Sequence, residues 1–484
     1  MERRVLLAVL AACALAAACA GRIDPVEAVL RHCELAMRSA RLKTLQYTAT
    51  GTGSTFGQAY QAGMAWPRID ITMYARWVDY EHGALREDTA LRRAEPTGGG
   101  SLPPMGAGER RTSAWLKGDH AWNVSGTTAT AAPAALDARV HDLWTTPQGV
   151  IKAALARSAG RSLRTEGDLQ VVTFADPGRL RATVWIGADG LVRRVDSVLS
   201  NPVSGDTPVT TLYSDWRDFS GLKFPTRIVQ YKGGFQVLDL AVEQVEGGAP
   251  VAIDVPQAVS AFKERVDVQK LAEGVWFLGG GSHNSVLVEF SDHLMLVESP
   301  LYDGRAQAVI AAAKELVPGK RIAYAVNTHH HFDHSGGLRA AAAEGATLVV
   351  SEEARGWFER AFAQANTVHP DALAQSGRKP VFLAVNGQRT FSDAMREVDL
   401  FQIEDSLHAR GSMIVWLPKE RLLIEADAFT PRAQPAAAAA QPDGAAANLV
   451  ANIERLHLDV ERVVPLHGRV VPAAELYTAA GREP

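Results

Sequence analysis

The stretch Asn327-Thr328-His329-His330-His331-Phe332-Asp333-His334-Ser335-Gly336-Gly337 decides how this chain is read. It contains the pattern H-x-H-x-D-H. A β-branched run before it predicts a strand over 322–327, and the glycines predict a turn into a helix over about 335–345. Ligand residues favour such strand ends, where loops present convergent side chains on a rigid support. On an extended segment His329 and His331 point the same way and can share one metal ion. Asp333 and His334, at the turn, can reach a second ion a few ångströms away. Neutral imidazole and carboxylate are donors that zinc accepts well. His330 points away from its neighbours and stays outside the ligand set. An acid interleaved among the histidines argues against a merely solvated His-rich loop.

Three more candidates lie downstream, each at a strand boundary. His408 sits in Asp405-Ser406-Leu407-His408-Ala409-Arg410, just before a predicted strand over 413–417. Asp427 ends the run Leu422-Leu423-Ile424-Glu425-Ala426, and His467 follows Val463-Val464-Pro465-Leu466 and precedes Gly468. Ten of the fourteen histidines lie after residue 282. His283, behind the glycines of Gly279-Gly280-Gly281-Ser282, is a candidate for substrate contact at the rim. Glu298, in Leu296-Val297-Glu298-Ser299, is a candidate acceptor behind a ligating histidine, since such partners fix the imidazole tautomer.

Working outward, strands over 275–278, 285–290 and 293–298 alternate with a helix over 305–316, the texture of an α/β domain. The first half differs. Asp24-Pro25 predicts a helix start, and the helix runs to about 41. Strand-like runs follow over 45–50, 69–73 and 114–124, with a Gly/Pro loop over 95–109. Pro147 opens a second helix to about 159. An antiparallel meander is predicted over 169–174, 180–186, 191–199, 209–215, 224–231 and 235–245. His32, His82, His120 and His141 show no ligand spacing, and nothing catalytic stands out in this half. The organisation expected is an export signal over 1–20, a β-rich domain over 21–250, a linker over 251–265 and a second domain over 266–484. The Ala/Pro-rich stretch 430–447 reads as a mobile loop.

Composition limits the function classes. The 484 residues are 47% hydrophobic and 21% charged, with a formal net charge of -4. Such a chain is globular, and it offers no general positive field for a phosphate backbone, so nucleic acid is not an expected partner. Three cysteines cannot build a disulfide scaffold. Glu2-Arg3-Arg4, the apolar run 5–18 and the small residues around Ala18-Cys19-Ala20 read as an export signal too short to span a bilayer. The expected location is the periplasm, with a lipid anchor at Cys19 as a variant of that reading. Cys33 falls on the apolar stripe of the first helix and is expected to be a buried thiol.

Residues 266–484 resemble the metallo-β-lactamase superfamily, through H-x-H-x-D-H and the later order of His, Asp at a strand end, and His before Gly. The resemblance implies an αββα sandwich with two zinc ions at one edge. His329, His331 and His408 would hold the first ion, Asp333, His334 and His467 the second, and Asp427 would bridge them. It also implies hydrolysis by a metal-bridging hydroxide, with Asp333 helping to orient the nucleophile. Where relatives often carry Asp this chain has Glu298, Leu407 replaces a usual Gly, and Glu425-Ala426 precedes Asp427. These changes touch loop shape and not the ligand set. The function expected is an exported dinuclear zinc hydrolase for a small-molecule lactone, ester or thioester, with β-lactam hydrolysis as the alternative. Glutathione thioesters are disfavoured by the short segment after His467. RNA processing is disfavoured by charge and export, and flavin-iron chemistry by His331 and the missing flavin domain. The tract Thr211-Leu212-Tyr213-Ser214-Asp215-Trp216 through Phe224-Pro225 resembles the late strands of periplasmic lipoprotein-carrier half-barrels. That implies a curved sheet with an apolar concavity for an acyl chain, and a third reading: a lipid- or ligand-binding protein with a subsidiary metal domain. The sequence sets no oligomeric state.

Overall fold

The computed structural model describes residues 24–94, 108–157, 159–431 and 442–483. The export signal over 1–20 and the anchor at Cys19 lie outside the described residues, as do most of the Gly/Pro loop and the centre of the Ala/Pro-rich stretch. No helix among the described residues is long and apolar enough to cross a membrane.

Thirteen strands of the first half pair into one sheet in which every neighbouring pair described is antiparallel. Alternation shows why: in Thr44–Ser54, Leu45, Tyr47 and Ala49 turn inward while the residues between them are only half-buried. The inward face carries the helices Pro25–Met37, Leu136–Trp144 and Pro147–Leu155 and shares one apolar core with them. Asp24 caps the first helix by accepting from Val26 N at 3.0 Å. Cys33 is a free, buried thiol, and burial pushes its pKa up. The first helix stops at Met37 because Arg38 takes a left-handed conformation, earlier than the pattern suggests. The run 114–124 is two strands, Arg110–Lys117 and His120–Ser125, because Gly118 adopts φ 55° and turns the chain back.

The second half is a four-layer sandwich. One sheet of seven strands runs from Asp267–Ala272 to Val381–Val385, and a second of six from Gln388–Ser392 to Val471–Pro472. Their facing sides make the central core, with Val288, Met295, Val297 and Val326 against Leu400, Val415, Ile424 and Val464. The helices Asp303–Leu316, Leu338–Ala343 and Glu352–Ala363 cover the first sheet. Gly444–Arg455 and Ala473–Ala479 cover the second. The expected mixed α/β class, with an antiparallel β domain before an αββα domain, is the observed one.

Two local readings change. The helix expected over 335–345 is two, Phe332–Ser335 and Leu338–Ala343, because the chain at Gly336 and Gly337 passes directly over the backbone of Ser299 and Leu301. The end of the Ala/Pro-rich stretch is not loop: Asp443 accepts from Ala445 N and Ala446 N and starts a helix that buries Ala446.

The halves are docked at two places. Asp206, in the sheet of the first half, receives Thr367 N at 2.9 Å, while its own N–H reaches Ala365 O. The second contact is the loop between the strands Thr44–Ser54 and Arg68–Asp79, which lies on the histidine-rich segment.

Candidate metal centre

Strand register assembles the site at one edge of the sandwich. Leu422–Glu425 and Arg462–Pro465 run parallel with Glu425 beside Pro465, so Asp427 and His467 leave the second sheet side by side. His293–Val297 and Arg321–Val326 are likewise parallel, with Val297 beside Val326, which puts Glu298 next to the segment that begins at Asn327. Met413 N donates to Thr328 O, tying the two sheets where the histidines emerge. Asn284 donates from N to Leu466 O and from Nδ2 to Gly468 O, which brings His283 against His467.

Eight side chains fall into two groups, each with its donor atoms within 4.8 Å of one another: His329, His331, His408 and Asp427, then His283, Asp333, His334 and His467. In the first group, His329 Nε2 lies 3.0 Å from His331 Nδ1. His408 Nε2 lies 3.2 Å from His329 Nε2 and 2.9 Å from His331 Nδ1. In the second, His467 Nε2 lies 3.1 Å from His334 Nε2. Asp427 stands between the groups. Its Oδ2 is 2.9 Å from His334, 3.1 Å from His408 and 3.3 Å from His329, and its Oδ1 is 2.9 Å from His467.

The outer ring nitrogens are engaged elsewhere, and this fixes which nitrogens face inward. His329 Nδ1 lies 3.1 Å from the Thr328 hydroxyl, which itself donates to Glu298. His334 Nδ1 donates to Glu298 Oε2 at 2.9 Å, and His331 Nε2 to Ala59 O at 2.9 Å. His467 Nδ1 lies 3.3 Å from Ser282 O. The remaining nitrogens therefore present lone pairs to one another. A tetrahedral ion with nitrogen bonds of about 2.0–2.1 Å sets its ligands roughly 3.3 Å apart, close to the spacings here. The donors of both groups fit metal ligation.

Electrostatics agree with that fit. Burial, helped by the neighbouring imidazoles, pushes His329 and His331 well below the usual histidine range and so keeps them neutral. Burial opposes ionisation of Asp427 and Asp333, yet the adjacent histidines hold both carboxyls well below their usual range. His334 is the exception: burial disfavours its charge, but Asp427, Asp333 and Glu298 raise its pKa well above normal. Two site residues hold left-handed backbones without being glycine, Glu298 at φ 69° and Asp427 at φ 62°. Such conformations cost of order 1–3 kcal/mol and persist where the surroundings impose them. Around Asp427 they are imposed by Glu425, whose buried carboxyl accepts from Ala428 N and Phe429 N.

Residues 278–467 match the model of the metallo-beta-lactamase superfamily. The matched span holds both groups and Glu298. Among solved structures, a metallo-beta-lactamase from Pontibacter korlensis is 15% identical, covering 45% of this chain and 98% of that one at a TM-score of 0.35. One from Hirschia baltica is 20% identical, with 45% and 97% covered and a TM-score of 0.35. FIM-1 from Pseudomonas aeruginosa, in its mono-zinc form, is 20% identical, with 45% and 93% covered and a TM-score of 0.34. No curated protein matches the chain.

The structure brings together all seven residues of the sequence-derived ligand set. His283 is not a rim residue apart from them: its Nε2 is 3.2 Å from Asp333 Oδ2, its ring packs 4.1 Å from that of His467, and burial lowers its pKa to about 4. Glu298 is fully buried and also receives Asn327 Nδ2 and Thr328 N. His330 turns from both groups and donates to Ala59 O at 2.8 Å. The sequence left the role of the first half open, and that half does contribute to the site: Gln58 Nε2 donates to Asp333 Oδ1 at 2.8 Å. No spacing rule marks Gln58; only docking of the two halves reveals it.

Proposed function

We propose that the protein is an exported dinuclear zinc hydrolase that opens a lactone, ester or thioester. The observation that carries this reading is the set of inward-facing imidazole nitrogens, 2.9–3.2 Å apart, with the outer nitrogens of His329, His331, His334 and His467 tied down. His329, His331 and His408 would hold one ion and Asp333, His334 and His467 the other, with Asp427 in reach of both. When bound, the ions supply the Lewis acidity that makes hydrolysis feasible near neutral pH.

The protein's own groups do the rest. Asp333 has the most open side chain of the eight, 34% exposed against 0% for His329 and His334. Solvent and substrate therefore enter on its side, and its carboxylate is placed to hold and orient a water proton there. Glu298 fixes the ring of His334 and, through Thr328, that of His329. Asp427 reaches both groups, an arrangement suited to an anion that holds two cations together.

Of the cavities in the first half, the one against Tyr47, Tyr74 and Tyr213 has a volume of about 180 Å³ and is lined also by Arg76, Glu87, Asp142 and Lys232, so that particular space suits a small polar molecule better than an acyl chain.

The test is turnover of a panel by the zinc-loaded mature protein, with and without chelator: a long-chain lactone, a thioester, a β-lactam and a phosphodiester. Chelator-sensitive opening of the lactone or thioester is the expected result. β-Lactam turnover alone would move the assignment to that substrate class, and turnover of none with both ions bound would contradict the reading. Export is tested by the N-terminal mass of the protein recovered from the native cell, where an intact N-terminus in the cytoplasm would refute it.

A further inference from the structure

The loop over 55–67 belongs to the N-terminal sheet, yet it reads along the histidine segment residue by residue. Gly57 O accepts from Phe332 N at 3.2 Å. Gln58 Nε2 donates to Asp333 Oδ1. Ala59 O accepts from His331 Nε2 and from His330 Nε2. Tyr60 donates from its hydroxyl to Ser406 O at 3.0 Å, and its carbonyl accepts from Arg410 N at 2.7 Å, so it grips both sides of His408.

The approach is built in. Gly57 has φ +87°, and a Cβ there would lie 2.7 Å from the Phe332 ring, so only glycine permits the contact. Phe332 in turn packs between Phe56 and Trp66 of the first half, with ring centroids 5.2 and 5.7 Å away, and Trp357 of the second at 5.8 Å. Ala59 is fully buried within this apolar cluster.

We infer that the N-terminal domain is a working part of the metal centre, with Gln58 as the positioning residue for Asp333 and the Ala59 carbonyl as the acceptor that orients His331. This rests on the reading above of the site as a metal centre. With Oδ1 of Asp333 held by Gln58, its Oδ2 is turned toward His283 and His334. With Nε2 of His331 donating to Ala59, its Nδ1 is the nitrogen that faces His329 and His408. A carboxylate free to rotate, or an imidazole free to change tautomer, holds a metal less well. The two docked halves thus form one site, and the first half does more than cover the second.

The experiment is metal titration of the full-length apo protein against a chromophoric chelator, with the cobalt(II) absorption spectrum as a second readout. Wild type is compared with Gln58→Leu and Gly57→Ala. Gln58 is half-buried, so Gln58→Leu leaves the fold intact, as unchanged apo melting will show. Gln58→Leu is expected to weaken the second equivalent about 10–100-fold while the first binds as in wild type. The cobalt bands of the second ion should shift, and kcat should fall more than KM rises. Gly57→Ala, which lifts the loop from Phe332 and from His331, is expected to weaken both equivalents. Two ions bound by Gln58→Leu with wild-type affinity and spectrum would overturn the role of the loop alone. No metal uptake by the wild-type protein would overturn the metal reading and this inference with it.

Discussion

Glu298 Oε2 lies 2.9 Å from His334 Nδ1, and both side chains are fully buried. The same carboxylate accepts from Thr328 N, the Thr328 hydroxyl and Asn327 Nδ2. One acid thus sets two imidazoles, one directly and one through Thr328. Glu298→Gln keeps the shape but offers an amide where His334 needs an acceptor, and should weaken metal binding about 10–100-fold. Glu298→Ala strands four buried donors and should cost about 3–5 kcal/mol. Chelator competition and urea unfolding measure the two effects.

Asp427 is in reach of both groups, whereas His467 touches only the second. Asp427→Ala should therefore lower the affinity of both ions, and His467→Ala that of one. Metal content after dialysis separates them: below one ion per chain for Asp427→Ala, near one for His467→Ala. Equal loss in both variants would argue against Asp427 as the shared residue.

The glycines after the histidine segment are structural. A Cβ at Gly336 would overlap the Leu301 carbonyl, and one at Gly337 would lie 2.8 Å from Ser299 O. Gly336→Ala meets backbone on a buried turn and cannot relax through a side chain. It should destabilise the fold by about 1–3 kcal/mol and loosen Asp333 and His334 with it, seen as a lower melting temperature and weaker metal uptake together.

His369 links the halves, with Nδ1 2.8 Å from Asp137 Oδ2 and Nε2 donating to Gly178 O. The hydrogen bond to Asp137 raises its pKa above the usual value. A raised folded value gives stability that is complete below the unfolded pKa of about 6.5 and lost as pH climbs through the folded one. Because the pair is half-exposed, its worth is at most about 1 kcal/mol. The stability difference between wild type and His369→Ala should be largest below pH ~6.5 and shrink as pH rises; a flat difference would show that the pair contributes no pH-linked stability.

Periodicity carried most of the second half. The strands at 321–326, 413–417, 422–425 and 462–465 are short apolar runs bounded by turn residues, and His329, His331, Asp333, His334, His408, Asp427 and His467 stand in the segments beside their ends. The first half was legible as antiparallel strands but not as one sheet of thirteen, since pairing order is a property of distant segments. Ser162–Glu166 and Thr128–Ala131 escape notice because they are short and none of their residues is buried. Gln58 and Ala59 were invisible for another reason. Their partners are 275 and 272 positions away, and a polar residue beside a glycine looks like any loop.

Each of the two groups at the sandwich edge is expected to hold a metal ion. Zinc-edge anomalous diffraction from crystals of the full chain grown with zinc tests it most directly. The expected map has two strong peaks, one among His329, His331 and His408 and one among Asp333, His334 and His467, with Asp427 in contact with both. An empty map at this edge, or zinc only at surface histidines such as His369, would contradict it.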